Sequence, residues 1–202
     1  MKRTTPFKYI YYLFSILIFF SLFPALRPVS DAGASTVLKL SLEDLVGKSD
    51  AIIVGTVLGK EYGSSGGLMI TKNLVQVEQC LGGCDRLEGG NLEIVTLGGR
   101  KDGVAVLVFG EASFDVGEKF VSFLRLQAES WRVVGMAQGK LKVEKDPASG
   151  CELVLPPGKV NLVRLAGGAL VGDEPFLTSP VPVEDFIRWV LEEVWKKESH
   201  EP

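Results

Sequence analysis

The sequence predicts a mostly β fold: an antiparallel β-barrel preceded by a short N-terminal helix and followed by an amphipathic C-terminal helix. Short runs rich in β-branched and aromatic residues recur at regular spacing, and glycine- or proline-rich turns separate them. Apolar residues spaced three and four apart from Val183 onwards predict the terminal helix. We assign residues 35–158 to the barrel domain and residues 159–202 to a C-terminal extension that ends in the helix packed on the barrel.

The first 34 residues have the pattern of an export signal. Basic residues precede an almost continuous apolar run over 9–26, and Ala32-Gly33-Ala34 supplies the small residues of a cleavage site. The sequence therefore predicts a signal peptide over 1–34, a mature chain from Ser35, and a periplasmic, cell-surface or extracellular location. The alternative is an uncleaved membrane anchor, because the run reaches the lower limit of a spanning helix, roughly 18 residues.

The domain begins with a helix signal. Ser41 is a good N-cap residue and Asp44 stands three positions later, which predicts a short helix over 42–46. A strand follows over 51–58, because this run is β-branched and too short for a typical helix. A small, polar segment over 59–67, with a flexible turn over 63–67, then leads into a strand over 68–80, whose second half alternates with period two.

The remaining strands lie between turns that contain glycine, proline or aspartate. We place them at 91–97, 104–109, 119–126, 131–138, 140–145 and 151–155. Their short, even spacing is typical of a closed or sandwiched antiparallel sheet.

In the C-terminal helix, apolar residues from Val183 to Val194 form one face and charged residues form the other. The first interpretation is a helix that packs on the barrel. Trp189 and Trp195 flank the apolar stripe, and large aromatic residues are also frequent in interfaces. These two tryptophans are therefore candidates for an interaction surface.

The charge excludes one class of partner. The full chain has a formal net charge of −3; removing residues 1–34 takes away four basic residues and one acidic residue, so the mature domain has about −6. Nucleic-acid binding needs a basic stripe. We therefore expect no nucleic-acid partner.

Three cysteines remain after the signal, and the oxidising compartment that it implies favours disulfide bonding. Cys80 and Cys84 enclose a short loop with two glycines, which makes them the first candidate pair. Cys151 is the alternative partner for either one, and the third thiol is then free, buried or used between chains. A redox motif is not expected, because the spacing is one residue longer than C-x-x-C.

The sequence offers no catalytic, cofactor-binding or metal-ligating set. The lone His200 stands near the chain end, away from any nucleophile motif. Carboxylates beside glycine or proline are more typical of turns than of glycosidase pairs, and a calcium site at Asp115 and Glu118 lacks the calcium-loop pattern. The carboxylates considered for catalysis are Glu111, Asp115, Glu118, Asp173 and Glu174.

A dense aromatic stretch predicts core residues, with base or sugar stacking as the alternative on a barrel of this kind. Its members are Phe109, Phe114, Phe120, Phe123 and Trp131.

Four segments carry a resemblance to a known group of proteins: 49–57, 77–83, 114–124 and 133–140. Over roughly 100 mature residues the chain resembles exported bacterial proteins of unassigned activity with an OB-like domain. More distantly, its element order is similar to the netrin-like domain of tissue inhibitors of metalloproteinases. This resemblance implies an OB-like barrel. The inhibitors depend on an N-terminal cysteine, whereas this chain has no cysteine before Cys80.

From these observations we expect an exported, non-enzymatic binding or interaction module without a cofactor. Its partner would be a protein or an envelope component, and contact with a membrane would occur only through an uncleaved signal segment. The alternative is a secreted protease inhibitor or regulator of the netrin-like type. An enzymatic role would require acidic residues that only folding brings together.

Overall fold

A computed structural model describes residues 36–87, 89–158, 161–166 and 169–200. The predicted signal peptide and the start of the mature chain at Ser35 lie outside these residues. The described helices are α1, Leu42–Gly47, and α2, Val183–His200. The described strands are β1 Thr36–Leu38, β2 Ala51–Ser65, β3 Leu68–Gly82, β4 Asn91–Leu97, β5 Gly99–Lys101, β6 Val104–Val106, β7 Lys119–Gln127, β8 Ser130–Val133, β9 Lys140–Lys145, β10 Glu152–Val154, β11 Asn161–Ala166, β12 Ala169–Asp173 and β13 Val181–Pro182.

The protein is mostly β, with a large sheet at its centre and helices at both places where the sequence predicts them. The main sheet has eight strands in the order β13-β10-β9-β7-β2-β3-β4-β8, and β8 also pairs with β7. Strands β1, β11 and β12 form a second sheet, and β5 and β6 form a hairpin. The β4–β8 and β1–β11 pairings are parallel, while the other described pairings are antiparallel.

Strand β2 has two buried faces, which explains its continuous apolar start. Ile52 and Val54 belong to a core cluster that includes Phe186 and Val190 of α2. Ile53, by contrast, belongs to a second cluster under the opposite face. Because alternate residues of a strand point to opposite faces, a run of apolar residues is required where both faces are covered.

The second cluster holds most of the predicted aromatic core. Phe114 and Phe120 contact each other edge to face with ring centroids 4.9 Å apart, and Trp131 is buried beside them. Phe123 is buried in the first cluster. Phe109 differs from the prediction, because it is 48% exposed.

Three predicted strand boundaries are wrong. The strand predicted over 51–58 continues to Ser65 through its pairing with β3, so the small, polar segment from residue 59 and the first part of the turn predicted over 63–67 are strand. Only Gly66 and Gly67, both with positive φ, make the turn. The strand predicted over 104–109 ends at Val106.

The strand predicted over 131–138 ends at Val133. Gly135 then adopts a φ of 68° and starts a 3-10 turn over Met136–Gly139. The buried Gln138 side chain accepts the Leu40 N–H and donates to the Leu38 carbonyl. These contacts tie the turn to the segment before α1, so long-range hydrogen bonds replace the sheet pairing that the local pattern predicts.

Candidate functional site

A cleft of about 430 Å³ opens beside the far end of the β2–β3 arm and is the candidate site. Strands β2, β3 and β4 form its floor, the β5–β6 hairpin forms one wall, and the segment Glu111–Phe114 forms the other. Its lining residues are Lys60, Tyr62, Thr71, Asn73, Thr96, Leu97, Gly98, Gly99, Arg100, Ala105, Val106, Leu107, Val108, Glu111, Ala112, Ser113 and Phe114.

The long β2–β3 arm positions the first polar groups of the cleft. Its turn at Gly66-Gly67 has positive φ at both residues, the conformation that glycine adopts most readily in two-residue hairpins. Lys60 lies opposite Asn73 and Tyr62 lies opposite Thr71. Residues directly opposite each other share a sheet face, so all four side chains lie on the face that forms the floor.

Asn73 is the most deeply buried polar residue of the floor, at 1% exposure. Its Nδ2 donates to the Ile94 carbonyl at 3.0 Å and to the Thr96 Oγ1 at 3.2 Å. No described residue donates a hydrogen bond to its Oδ1. Since every fully buried side-chain oxygen of the described residues has a partner, the Asn73 Oδ1 must contact solvent. Asn73 thus lines the cleft with a side-chain oxygen that contacts solvent and has no partner among the described residues.

The chain crosses from β4 to β5 in close contact with the floor. A Cβ on Gly99 would lie 2.9 Å from the Thr71 Oγ1 and 3.1 Å from the Tyr62 ring. The Thr71 hydroxyl donates to the Gly98 carbonyl at 2.9 Å. The two glycines therefore allow the β5–β6 hairpin to fold over the arm and create the wall of the cleft.

The charged groups at the cleft differ in their partners. Burial raises the pKa of the Glu111 carboxyl, and the Ala112 N–H, the Arg132 charge and the Leu97 N–H oppose this rise. The Lys60 ammonium lies 3.7 Å from the Asp115 carboxylate. Arg100 is exposed and has no ion-pair partner among the residues that the structure describes.

Phe114 separates the cleft from the apolar interior. It is 1% exposed and packs against Phe120. The segment Glu111–Ser113 just before it lines both the cleft and a second cavity of about 380 Å³. The cleft offers hydrogen-bonding groups and both signs of charge beside apolar residues such as Val106 and Leu107, which suits recognition of a molecule that carries both polar and apolar groups.

The cysteines and tryptophans named from the sequence lie elsewhere. Cys80 and Cys84 form a disulfide at the end of β3, the first of the pairings that the sequence left open. Cys151 is exposed and free. Trp189 and Trp195 are 42% and 70% exposed on α2, and neither of them lines the cleft.

The fold brings three of the five candidate carboxylates, Glu111, Asp115 and Glu118, to the lining of the second cavity; Asp173 and Glu174 do not line it. Glu118 and Asp115 stand in one turn, where the Asp115 N–H donates to the Glu118 carboxylate at 2.8 Å. Asp173 pairs with Lys39 at 3.1 Å, far from that turn in sequence, and the Glu174 N–H donates to the Asp173 carboxylate. Over the described parts of the chain, no group of three His, Cys, Asp or Glu residues could hold a metal ion.

Sequence reasoning missed the floor of the cleft. Its signal was present in β3, where Thr71 and Asn73 share an alternation with the apolar Val75. Polar residues that continue an apolar strand face indicate buried polar positions that must find partners. The β5–β6 wall gave no such signal.

Comparison with protein-family models gives no match to this chain, and the search of curated proteins gives none either. Within the described residues, neither helix is long and apolar enough to cross a membrane.

Proposed function

We propose that the protein is an exported, non-enzymatic binding module with an OB-like barrel, and that it engages a protein or envelope component through the cleft. The observation that carries this proposal is the Asn73 side chain, which lines the cleft at 1% exposure and whose Oδ1 accepts no hydrogen bond from a described residue. An open hydrogen-bond acceptor on a buried side chain is unfavourable unless water or a ligand donates to it.

The strand pairings support the OB-like assignment. Starting at β7, the pairings run to β2, β3, β4 and β8, and β8 pairs again with β7 through Leu124–Gln127. Such a circuit of five strands, with β4 and β8 parallel, is the arrangement that an OB-like barrel would have.

The disulfide supports export. Cys80 and Cys84 are bonded, and such bonds persist in oxidising compartments outside the cytoplasm. This agrees with the signal peptide that the sequence predicts over 1–34.

The test is affinity capture from the envelope and culture fluid of the producing organism, with mass spectrometry of the retained components. Three immobilised proteins are compared: wild type, Ala105→Trp and Val104→Trp. Ala105 lines the cleft, whereas its neighbour Val104 does not, so the first variant fills the cleft and the second adds the same side chain to the same hairpin outside it.

We expect wild type and Val104→Trp to retain the same partner and Ala105→Trp to lose it. Equal retention by all three proteins would place the binding surface elsewhere, and saturable retention by none would overturn the proposal. If the retained partner is a secreted protease whose hydrolysis is slowed, binding takes the form of the netrin-like inhibition that the sequence suggests as an alternative.

A further inference from the structure

Strand β2 runs past the end of β7, and beyond that point none of the described strands lies along one of its edges. β7 pairs with β2 over Ala51–Thr56, and the last backbone hydrogen bonds on that side join Val57 to Gly117 and Glu118. Beyond Val57, in the part of the chain that the structure describes, β2 pairs only with β3. Among the described residues, the edge from Lys60 to Ser64 therefore has no strand beside it.

One hydrogen bond identifies the residues that carry the free backbone groups. The Gly98 N–H donates to the Met69 carbonyl at 2.8 Å, so Met69 directs its backbone groups towards β4. Ser64 lies opposite Met69 and therefore directs its own N–H and C=O away from β3, because the backbone direction alternates along a strand. The register is regular from Gly59 to Ser65, so Tyr62 and Lys60 do the same.

These groups have the spacing of a polypeptide ligand. Residues two apart in a strand repeat every ~7 Å, and each of the three residues offers one donor and one acceptor. An extended peptide has the same repeat, and edge strands bind such segments through backbone hydrogen bonds. Lys60 and Tyr62 also line the cleft with their side chains, so alternate side chains of an added strand would lie on the cleft face.

The charge at the cleft indicates the kind of segment. The Lys60 ammonium has Asp115 nearby, whereas Arg100 lines the cleft and forms no ion pair within the described residues. An acidic side chain of the bound segment would complement this guanidinium.

We propose that the free edge of β2, at Lys60, Tyr62 and Ser64, binds an extended acidic segment of a partner polypeptide as an added strand. This inference rests on the proposed function and gives its partner a chemical class.

The probe is a set of peptides selected on the wild-type protein from a displayed library of random dodecapeptides. Amide hydrogen exchange by NMR is measured with and without the selected peptide. The free protein should exchange the Lys60, Tyr62 and Ser64 amides fast, because these point away from β3, and the Glu61 and Gly63 amides slowly. The peptide should slow the first three by about tenfold or more and leave the other two unchanged.

Two matched pairs of variants test the contacts. Ser64→Pro removes an edge N–H and should weaken peptide affinity about tenfold, while Ser64→Ala keeps the N–H and should stay within about twofold. Arg100→Glu should weaken binding of an acidic peptide about tenfold, and Lys101→Glu, next to it but outside the cleft lining, should not.

The outcomes separate this inference from the proposed function. If Ala105→Trp abolishes binding of a selected peptide, but that peptide leaves the three amides of the wild-type protein unprotected, the added-strand proposal is wrong and the cleft remains the binding site. Failure to select any peptide, together with cleft-dependent capture of a partner other than a polypeptide, would also overturn it. Concentration-dependent protection of the same amides without peptide would assign the edge to a second copy of the chain.

Discussion

The Glu118 carboxylate and the Lys140 ammonium form an ion pair inside the fold, with side chains only 5% and 10% exposed. Glu118 also accepts the Asp115 N–H at 2.8 Å, and the Lys140 Nζ lies 5.4 Å from the centre of the Phe114 ring. Burial lowers the pKa of Lys140, and the hydrogen bond to Glu118 opposes this shift. The pair therefore joins the turn before β7 to the start of β9 and holds Phe114 between the cleft and the core.

Glu118→Gln should lower the free energy of unfolding by about 3 kcal/mol, because it leaves the buried Lys140 charge without its counter-ion. Urea unfolding at neutral pH measures this loss. The matched control is Glu144→Gln, which breaks the ion pair between Lys142 and Glu144 at the surface. The side chains of Lys142 and Glu144 are 45% and 49% exposed. For Glu144→Gln we expect a loss in the free energy of unfolding below about 0.5 kcal/mol. Equal losses in the two variants would show that burial does not make the Glu118–Lys140 pair more important for stability than an exposed pair.

Gly83→Ala should be among the most destabilising single substitutions. Gly83 has a φ of 64°, and a Cβ would stand 1.8 Å from the Asp50 carbonyl oxygen. Asp50 cannot move away easily, because its carboxylate accepts from Arg86 and from the Leu126 N–H. Alanine is strained at this positive φ, and its Cβ would overlap with the Asp50 backbone. The two effects together should lower the free energy of unfolding by about 3 kcal/mol or more.

Gly117→Ala separates these two effects. Gly117 has a φ of 82° with nothing within 4 Å of the added Cβ, so only the conformational cost of about 1–2 kcal/mol should appear in thermal or urea unfolding. Similar losses at both glycines would contradict the close approach at Gly83.

Removal of the disulfide through the pair of substitutions Cys80→Ser and Cys84→Ser should lower the free energy of unfolding by about 2 kcal/mol. The loop it closes is short, with a separation of four residues, and loop-closure entropy depends on loop length. Cys151→Ser should have no effect, because Cys151 is free and exposed. Alkylation of the folded, unreduced protein followed by mass spectrometry should label Cys151 alone; labelling of Cys80 or Cys84 would contradict this pairing.

The fold was predictable where local sequence and long-range contacts agree. The bounds of β4 and β9 match the sequence pattern, because apolar and polar residues alternate there as the sheet requires. The pattern after Val133 failed, because the contacts of Gln138 with Leu38 and Leu40 cross about 100 residues of sequence. Such hydrogen bonds leave no local periodicity.

The cleft was less predictable than the fold. Its polar floor had a signal in Thr71 and Asn73, but its wall depends on the approach of Gly99 to Tyr62. That approach depends on the positive φ of Gly98 and Gly99 and not on the apolar pattern of the β5–β6 hairpin, whose strands are mostly exposed. Sequence periodicity reports which faces are buried, whereas it does not report where an exposed hairpin folds back.

The capping box of α1 should give the protein a measurable dependence on acidic pH. The Ser41 hydroxyl accepts the Asp44 N–H and the Asp44 carboxylate accepts the Ser41 N–H, each at 3.0 Å. The Lys48 side chain, then the Ser41 backbone and hydroxyl, donate to Asp44 and lower its pKa from 3.8 to about 2. Since the folded-state pKa is the lower one, this stabilisation is fully present above pH 3.8 and disappears as the pH falls towards 2.

Asp44→Ala should therefore lower the free energy of unfolding by about 1 kcal/mol at pH 6, and urea unfolding at several pH values should show the difference from wild type shrinking between pH 4 and pH 2. The magnitude stays near that of a helix cap because Asp44 and Lys48 are 44% and 45% exposed, so solvent screens their attraction. Glu43→Gln, in the same helical turn but outside the capping contacts, is the control and should show no such convergence. A pH-independent difference for Asp44→Ala would mean that the carboxylate charge at the helix start does not contribute and that only its side-chain packing does.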